Sequence, residues 1–108
     1  MKIYISGPIT GDPHYRAKFA SAEVAVRQAG HEPLNPAKGD KGRSDTDAMR
    51  RAVRMLLRAE AILLLPGWEQ SSGAFAELML ARRLGLSVLH PEDFELMKEV
   101  YPHGQNER

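Results

Sequence analysis

Residues 61–77 of this 108-residue chain read AILLLPGWEQSSGAFAE. The first five residues are all apolar, which predicts a strand buried on both faces of a sheet. A Pro-Gly break and two serines follow, and then a helical segment carries a carboxylate, Glu77, in its early turns. Junctions of this kind form ligand sites in open parallel sheets, because free backbone N–H groups and the positive end of the helix dipole meet there.

The rest of the chain repeats this alternation of short apolar runs and helical stripes. Apolar or β-branched runs predict strands over 2–6, 31–35, 61–65 and 86–89. Helical periodicity predicts four helices: one opening at Asp12-Pro13 and ending at Gly30, one capped by Asp45 or Asp47, one over 72–84 and one over 92–100. The second of these helices has an apolar face made of Met49, Ala52, Val53, Leu56 and Leu57.

The order βαβαβαβα predicts an α/β fold with a parallel sheet and helices on both faces. We expect one domain over residues 1–100 and a polar C-terminal tail over 101–108. The loop over 37–44, which is rich in glycine and lysine, is predicted to be irregular. Ligands of such sheets bind beyond the carboxyl ends of the strands, so the loops over 7–11 and 66–73 should meet at the site.

The composition excludes several classes of protein. A formal net charge of +1 gives no signature of binding to a nucleic acid polymer or to an anionic membrane. Without cysteine there is no disulfide framework or thiol nucleophile, and the four histidines lack metal-ligand spacing, so we expect no metal and no cofactor. No apolar run approaches the roughly 20 residues of a membrane span, and no signal-peptide core follows Met1, which favours a cytoplasmic protein.

Glu77 stands out because of its neighbours on the helix. The positions that share its face are Gly73, Ala74, Ala81 and Leu84, which are small or apolar, and its i+4 neighbour provides no local cation. One interpretation is a solvated glutamate that is favoured near the positive end of the helix dipole. The other is a carboxylate directed into the cleft as a nucleophile or a base.

Other candidates also have two interpretations. Ser71 is either a plain helix N-cap or part of an anion site, and Trp68 either covers the sheet edge or forms a platform for a base or sugar. Tyr4 is either a core residue or a hydroxyl that reaches the cleft. The glycines of the 7–11 loop would let a ligand approach the backbone, although their spacing is not that of a dinucleotide fingerprint. A basic stripe on the second helix predicts a solvated or subunit-contacting face; it consists of Arg50, Arg51, Arg54 and Arg58.

Three segments together resemble a known family. IYISGPITG at 3–11, AILLLPGWE at 61–69 and SSGAFAE at 71–77 are similar to the nucleoside 2-deoxyribosyltransferase superfamily, most of all to its small DUF4406 branch, over residues 2 to about 90. The resemblance implies a flavodoxin-like or Rossmann-like three-layer sandwich with a parallel sheet of four to five strands. It also implies that Glu77 attacks the anomeric carbon of a sugar, that Tyr4 lies beside it, and that Ser71 contacts a phosphate.

The resemblance further implies a substrate, a set of binding residues and an assembly. The substrate would be a nucleoside or a nucleoside 5′-monophosphate, and the chain would form a homodimer or a larger homo-oligomer. The alternative is a nucleotide-binding or sensing module of the same fold. The expected substrate-binding residues are Gly7, Pro8, Ile9, Thr10, Gly11, Gly67, Trp68, Ser71 and Gly73.

The chain departs from the family pattern at several positions. Ala52 stands where characterised members carry an aspartate, and Glu60 where they carry a shorter acid. Thr10 replaces the first-loop arginine of nucleotide hydrolases, and Pro8 replaces a serine. The residues that could take over the role of the missing aspartate are Asp45, Asp47 and Glu69. Those that could hold a phosphate are Lys38, Lys41 and Arg43.

Overall fold

The computed structural model describes residues 1–38 and 44–100. Most of the predicted 37–44 loop, the candidate phosphate ligands Lys41 and Arg43, and the predicted tail over 101–108 therefore lie outside the described residues. Within the described ranges, no helix is long and apolar enough to cross a membrane.

The predicted alternation of strands and helices is confirmed. The strands are β1 (Lys2–Ser6), β2 (Glu32–Leu34), β3 (Ala61–Leu64) and β4 (Ser87–Leu89). The helices are α1 (Tyr15–Gln28), α2 (Asp45–Arg58), α3 (Ser72–Arg83) and α4 (Glu95–Val100), with short 3₁₀ turns at Trp68–Gln70 and Pro91–Asp93.

The four strands form one parallel sheet in the order β2-β1-β3-β4. Tyr4 of β1 lies between Leu34 of β2 and Ile62 of β3, and Ser6 pairs with Leu64 at the carboxyl edge. The chain reverses its direction of travel across the sheet between β1 and β3, which places the topological switch point at the ends of these two strands. The parallel α/β architecture predicted from the sequence is therefore confirmed.

Two helical layers cover the sheet because its side chains alternate between the two faces. One face packs against α1 and α4 and contributes Ile3, Ile5 and Leu63 to its core. The other face packs against α2 and α3 and contains Tyr4 and Ile62. Every residue of β3 is buried, as its uninterrupted apolar run predicted.

Several predicted details of the helices are wrong. Local hydrogen bonds explain where the first two helices begin. The first helix begins at Tyr15 rather than at Asp12, because the Asp12 carboxylate accepts from the His14 N–H and holds the preceding residues in a turn. The second helix is capped by Ser44, whose Oγ accepts from the Asp47 N–H. Leu57, predicted on the apolar face of α2, is 65% exposed.

Candidate functional site

Helix α3 brings Glu77 to the carboxyl end of β1. Ser71 begins this helix as its N-cap, with its Oγ accepting from the Ala74 N–H at 3.2 Å. Six residues after Ser71, the half-buried Glu77 carboxylate faces the sheet, where the Ser6 hydroxyl donates to its Oε1 at 2.7 Å. The Tyr4 hydroxyl forms a second hydrogen bond to the same carboxylate. Glu77 is therefore not a solvated surface glutamate.

Ser6 is the residue that the sequence analysis missed. It is only 1% exposed, and its hydroxyl is among the few polar groups in the core. The alternation of a strand puts residues 4 and 6 on the same face, so the Tyr4 and Ser6 hydroxyls emerge side by side toward α3. A serine two residues after a candidate tyrosine, at the carboxyl end of a strand, was the available signal.

Burial and hydrogen bonding act in opposite directions on Glu77. Desolvation raises the pKa of this carboxyl and outweighs the hydrogen bonds from Ser6 and Tyr4, which lower it, so the net shift is upward. Among the described residues, Glu77 takes part in no salt bridge. The pKa of Tyr4 is raised well above its usual range by burial and by the negative charge of Glu77, with a smaller opposing effect of Arg51. Tyr4 therefore stays protonated and able to donate at neutral pH.

A cleft of about 730 Å³ opens beside this carboxylate. Its walls come from the end of β1 and the loop after it, from α1, from the segment after β2, from the first turns of α2 and from the start of α3. The described residues that line it are Tyr4, Ile9, Thr10, Tyr15, Phe19, Pro36, Ala37, Ser44, Asp45, Ala48, Met49, Arg51, Ala52, Gln70, Ser71, Ser72, Gly73, Ala74 and Glu77. The volume falls in the range of small-molecule pockets.

Six of the residues predicted from the sequence lie on this cleft: Tyr4, Ile9, Thr10, Ser71, Gly73 and Glu77. The other five predicted residues, Gly7, Pro8, Gly11, Gly67 and Trp68, are not among the described residues that line it.

Packing explains the position of several of these five residues. A Cβ on Gly7 would come within 2.8 Å of Leu65, and one on Gly67 within 3.0 Å of Pro8, so the loops after β1 and β3 touch there. Trp68 stacks on Phe75, with ring centroids 6.4 Å apart, and packs against the core of the α2 and α3 layer.

The candidate acids differ in whether they line the cleft. Ala52 lies on the cleft wall and offers no polar group. Of the three possible substitutes, Asp45 lines the cleft, whereas Asp47 and Glu69 are not among the described lining residues. Glu60 accepts from the Lys2 N–H at the opposite, amino edge of the sheet.

The described lysine and arginine side chains also differ in whether they line the cleft. The Lys38 ammonium lies 3.2 Å from the Glu23 carboxylate, on the surface. Arg51, which the sequence analysis placed in a solvated or subunit-contacting stripe, is half-buried and lines the cleft. The other arginines of that stripe, Arg50, Arg54 and Arg58, are exposed. Over residues 1–38 and 44–100, no cluster of three or more His, Asp or Glu side chains could hold a metal ion.

Comparison with known proteins places this geometry in context. The model of a family described as Domain of unknown function (DUF4406) matches residues 1–90. Among solved structures, a 2-desoxiribosyltransferase from Leishmania mexicana superposes with a TM-score of 0.67 at 22% sequence identity. The alignment covers 82% of this chain and 62% of that one, so the chain spans less than two thirds of the length of its structural neighbour. This likeness shows a shared fold. No curated protein matches the sequence.

Proposed function

The chain belongs to the DUF4406 family, and from this membership and the geometry of the cleft we propose that it cleaves or transfers the N-glycosidic bond of a nucleoside or a nucleoside 5′-monophosphate. One observation carries the proposal: a desolvated carboxylate, Glu77, lies on a cleft of suitable size and is held by two hydroxyls. Within residues 1–38 and 44–100 this carboxylate forms no salt bridge, and a carboxylate in that state is suited to attack an electron-poor carbon.

In the proposed reaction, a Glu77 carboxylate oxygen forms a bond to the anomeric carbon while the bond from that carbon to the base nitrogen breaks. The electron pair of the broken bond leaves with the base, and the sugar stays on the enzyme as a glycosyl ester. Water or a second base then attacks the same carbon and releases Glu77. Ser6 and Tyr4 orient the carboxylate throughout, because both donate to it.

The remaining candidate residues would hold the substrate. Ile9, Thr10, Ser71 and Gly73 lie on the cleft and would contact the ligand directly. The other predicted residues would act indirectly, by fixing the course of the loops after β1 and β3. These residues are Gly7, Pro8, Gly11, Gly67 and Trp68.

The experiment is a test for release of free base. The protein is incubated with a panel of nucleosides and nucleoside 5′-monophosphates, and the products are separated by chromatography. We expect Glu77→Gln to lower the rate by about a thousandfold or more, because it removes the nucleophile while keeping the shape of the side chain. Glu32→Gln is the matched control, since Glu32 is an exposed carboxylate at the amino end of β2. Base release that survives in Glu77→Gln would contradict the proposal.

A second function is favoured by Ala52, which leaves one wall of the cleft without the acid that related enzymes carry. In this alternative the chain binds a nucleotide and does not break it. A thermal-shift screen would then find a nucleotide that stabilises the fold and is recovered unchanged. Detection of its free base would exclude this alternative.

A further inference from the structure

Arg51 differs from the other arginines of α2. Helix α2 carries Arg50, Arg51, Arg54 and Arg58, and of these only Arg51 is half-buried and faces the cleft. Among the described lining residues, it is also the only one with a cationic side chain. An arginine gives up hydration when it is partly buried, so its placement on a cleft wall indicates a role there.

The Arg51 charge acts in the same cleft as Glu77. Arg51 and Glu77 act electrostatically on the same Tyr4 hydroxyl, with opposite signs. Tyr4, Arg51 and Glu77 also line the same cleft, so the guanidinium belongs to the site that holds the nucleophilic carboxylate. Arg51 also immediately precedes Ala52, whose methyl group can donate no proton.

We propose that Arg51 is a further catalytic residue, which stabilises the negative charge on the departing base in place of a proton donor. This proposal rests on the proposed function. When Glu77 bonds to the anomeric carbon, the electron pair of the glycosidic bond moves to the ring nitrogen of the base. The planar guanidinium can donate two hydrogen bonds, one to that nitrogen and one to the neighbouring carbonyl oxygen or ring nitrogen of the base.

The protons balance without an acidic side chain. The base leaves as an anion paired with the guanidinium and takes up a proton from water. In hydrolysis, the water that attacks the glycosyl ester gives its hydroxyl to the anomeric carbon and returns one proton to solvent. The guanidinium acts here by its charge and its hydrogen bonds and not by proton transfer.

Asp45 is the alternative candidate for assisting the departing base, and its position suits that role less well. It lines the cleft, but it is exposed and lies in the first turn of α2. An ionised carboxylate has no proton to give to the base, and its charge would repel the departing anion.

The test compares leaving groups that need different amounts of help. The substrates are a 2′-deoxynucleoside, its 5′-monophosphate, and 4-nitrophenyl 2-deoxyriboside, whose nitrophenolate leaves without assistance. We expect Arg51→Gln to lower kcat/KM about a hundredfold on both the nucleoside and the monophosphate, and less than about threefold on the nitrophenyl compound. Arg51→Lys should restore part of the loss, because it keeps the charge and loses the planar fork. Arg50→Gln, its exposed neighbour, is the matched control and should leave all three rates unchanged.

Other outcomes overturn the proposal and separate its causes. An equal loss on all three substrates would assign Arg51 a structural role, and the preserved nitrophenyl rate is therefore also the check on folding. A loss confined to the monophosphate would make Arg51 a phosphate ligand. A wild-type protein that cleaves the nitrophenyl compound but no nucleoside would overturn this assignment while leaving the Glu77 chemistry intact. Cleavage of none of the three would overturn the proposed function itself.

Discussion

At the scale of single residues, the site depends on a contact between the first strand and the third helix. Ser6 and Tyr4 emerge from alternate positions of β1, and both donate to Glu77 of α3. Hydrogen bonds to an ionised group are stronger than those between neutral groups, so these two hydroxyls favour the charged carboxylate that the proposed chemistry needs. Burial acts in the opposite direction.

Removing the Ser6 hydroxyl should therefore change the pH dependence of base release. Glu77 must be ionised to attack, so activity falls as the pH drops through its raised pKa. Ser6→Ala deletes a hydrogen bond that lowers this pKa, and we expect the acid limb of the kcat/KM profile to move to higher pH. The measurement is a pH–rate profile on one substrate, with Ser87→Ala, an exposed serine of β4, as the control. An acid limb that stays in place in Ser6→Ala would show that this hydroxyl does not tune Glu77.

The sequence predicts a site residue well when its role depends little on long-range packing, and poorly when it depends on how distant elements dock. Glu77 and Tyr4 were predicted because a carboxylate on a small, apolar helix face is unusual and because the family motifs include both. Ser6 was missed because its role depends on the direction in which α3 docks on β1. Arg51 was misplaced for the same reason, since helix periodicity does not show which polar positions face a cleft and which face water.

At the scale of elements, the two loops at the carboxyl edge support each other. Gly67 has a φ of +91°, in the left-handed region, and a Cβ built on it would lie 3.0 Å from Cγ of Pro8. The loop after β3 thus packs against the loop after β1 at a position where only a hydrogen fits easily. Ile9 and Thr10 of the first loop and the start of α3 line the same cleft.

A pair of glycine substitutions can measure this loop contact. Gly85 also has a positive φ, +79°, but nothing lies within 4 Å of its would-be Cβ. Gly85→Ala should therefore cost about 1–2 kcal/mol, which is the cost of a left-handed conformation alone. Gly67→Ala should cost more, because it adds the contact with Pro8 to the same backbone cost. Urea denaturation gives both free energies of unfolding, and equal values would mean that the loops are loosely packed.

The order of the elements could be predicted, whereas their ends and faces could not. Periods of two and of 3.6 residues are properties of the local sequence, and they gave the correct succession of strands and helices. Helix ends depend on which side chain captures a free N–H group, and Ser44 captures it on α2 rather than Asp45 or Asp47. Leu57 was assigned to the core beside Leu56, but the docking angle of α2 buries one and exposes the other.

At the scale of the whole molecule, the parallel sheet separates two helical layers and concentrates the polar chemistry at one edge. Alternation of strands and helices was enough to predict this architecture, because parallel strands need crossovers and the crossovers cover both faces. The position of the cleft followed from the same topology. Which side chains line it did not, since the walls come from segments that are distant in sequence.

The half-buried carboxylate of Glu77 also links the site to the stability of the fold. The folded-state pKa of Glu77 lies above its unfolded value, so between the two values the folded chain binds more protons than the unfolded one. The free energy of unfolding therefore decreases as the pH rises through this window. Above the window the full penalty remains. Below it the group is neutral in both states and contributes nothing.

Glu77→Gln should remove this penalty. We expect the variant to melt at a higher temperature than the wild type at about pH 8, and the difference should shrink toward about pH 4, where Glu77 is mostly protonated in both states. Thermal melts of both proteins in matched buffers measure this difference, and Glu32→Gln, an exposed carboxylate, provides the comparison. A difference that is constant over the pH range would mean that the penalty of burial does not come from the charge.

Evolution of this protein would then face a trade-off at a single position. A neutral side chain of the same shape, such as glutamine at position 77, should make the chain more stable, and it removes the proposed nucleophile. Lineages that no longer need the activity should therefore lose this acid early, without any compensating change elsewhere in the fold. A glutamate retained here would mark selection for reactivity against the steady advantage of a more stable neutral side chain.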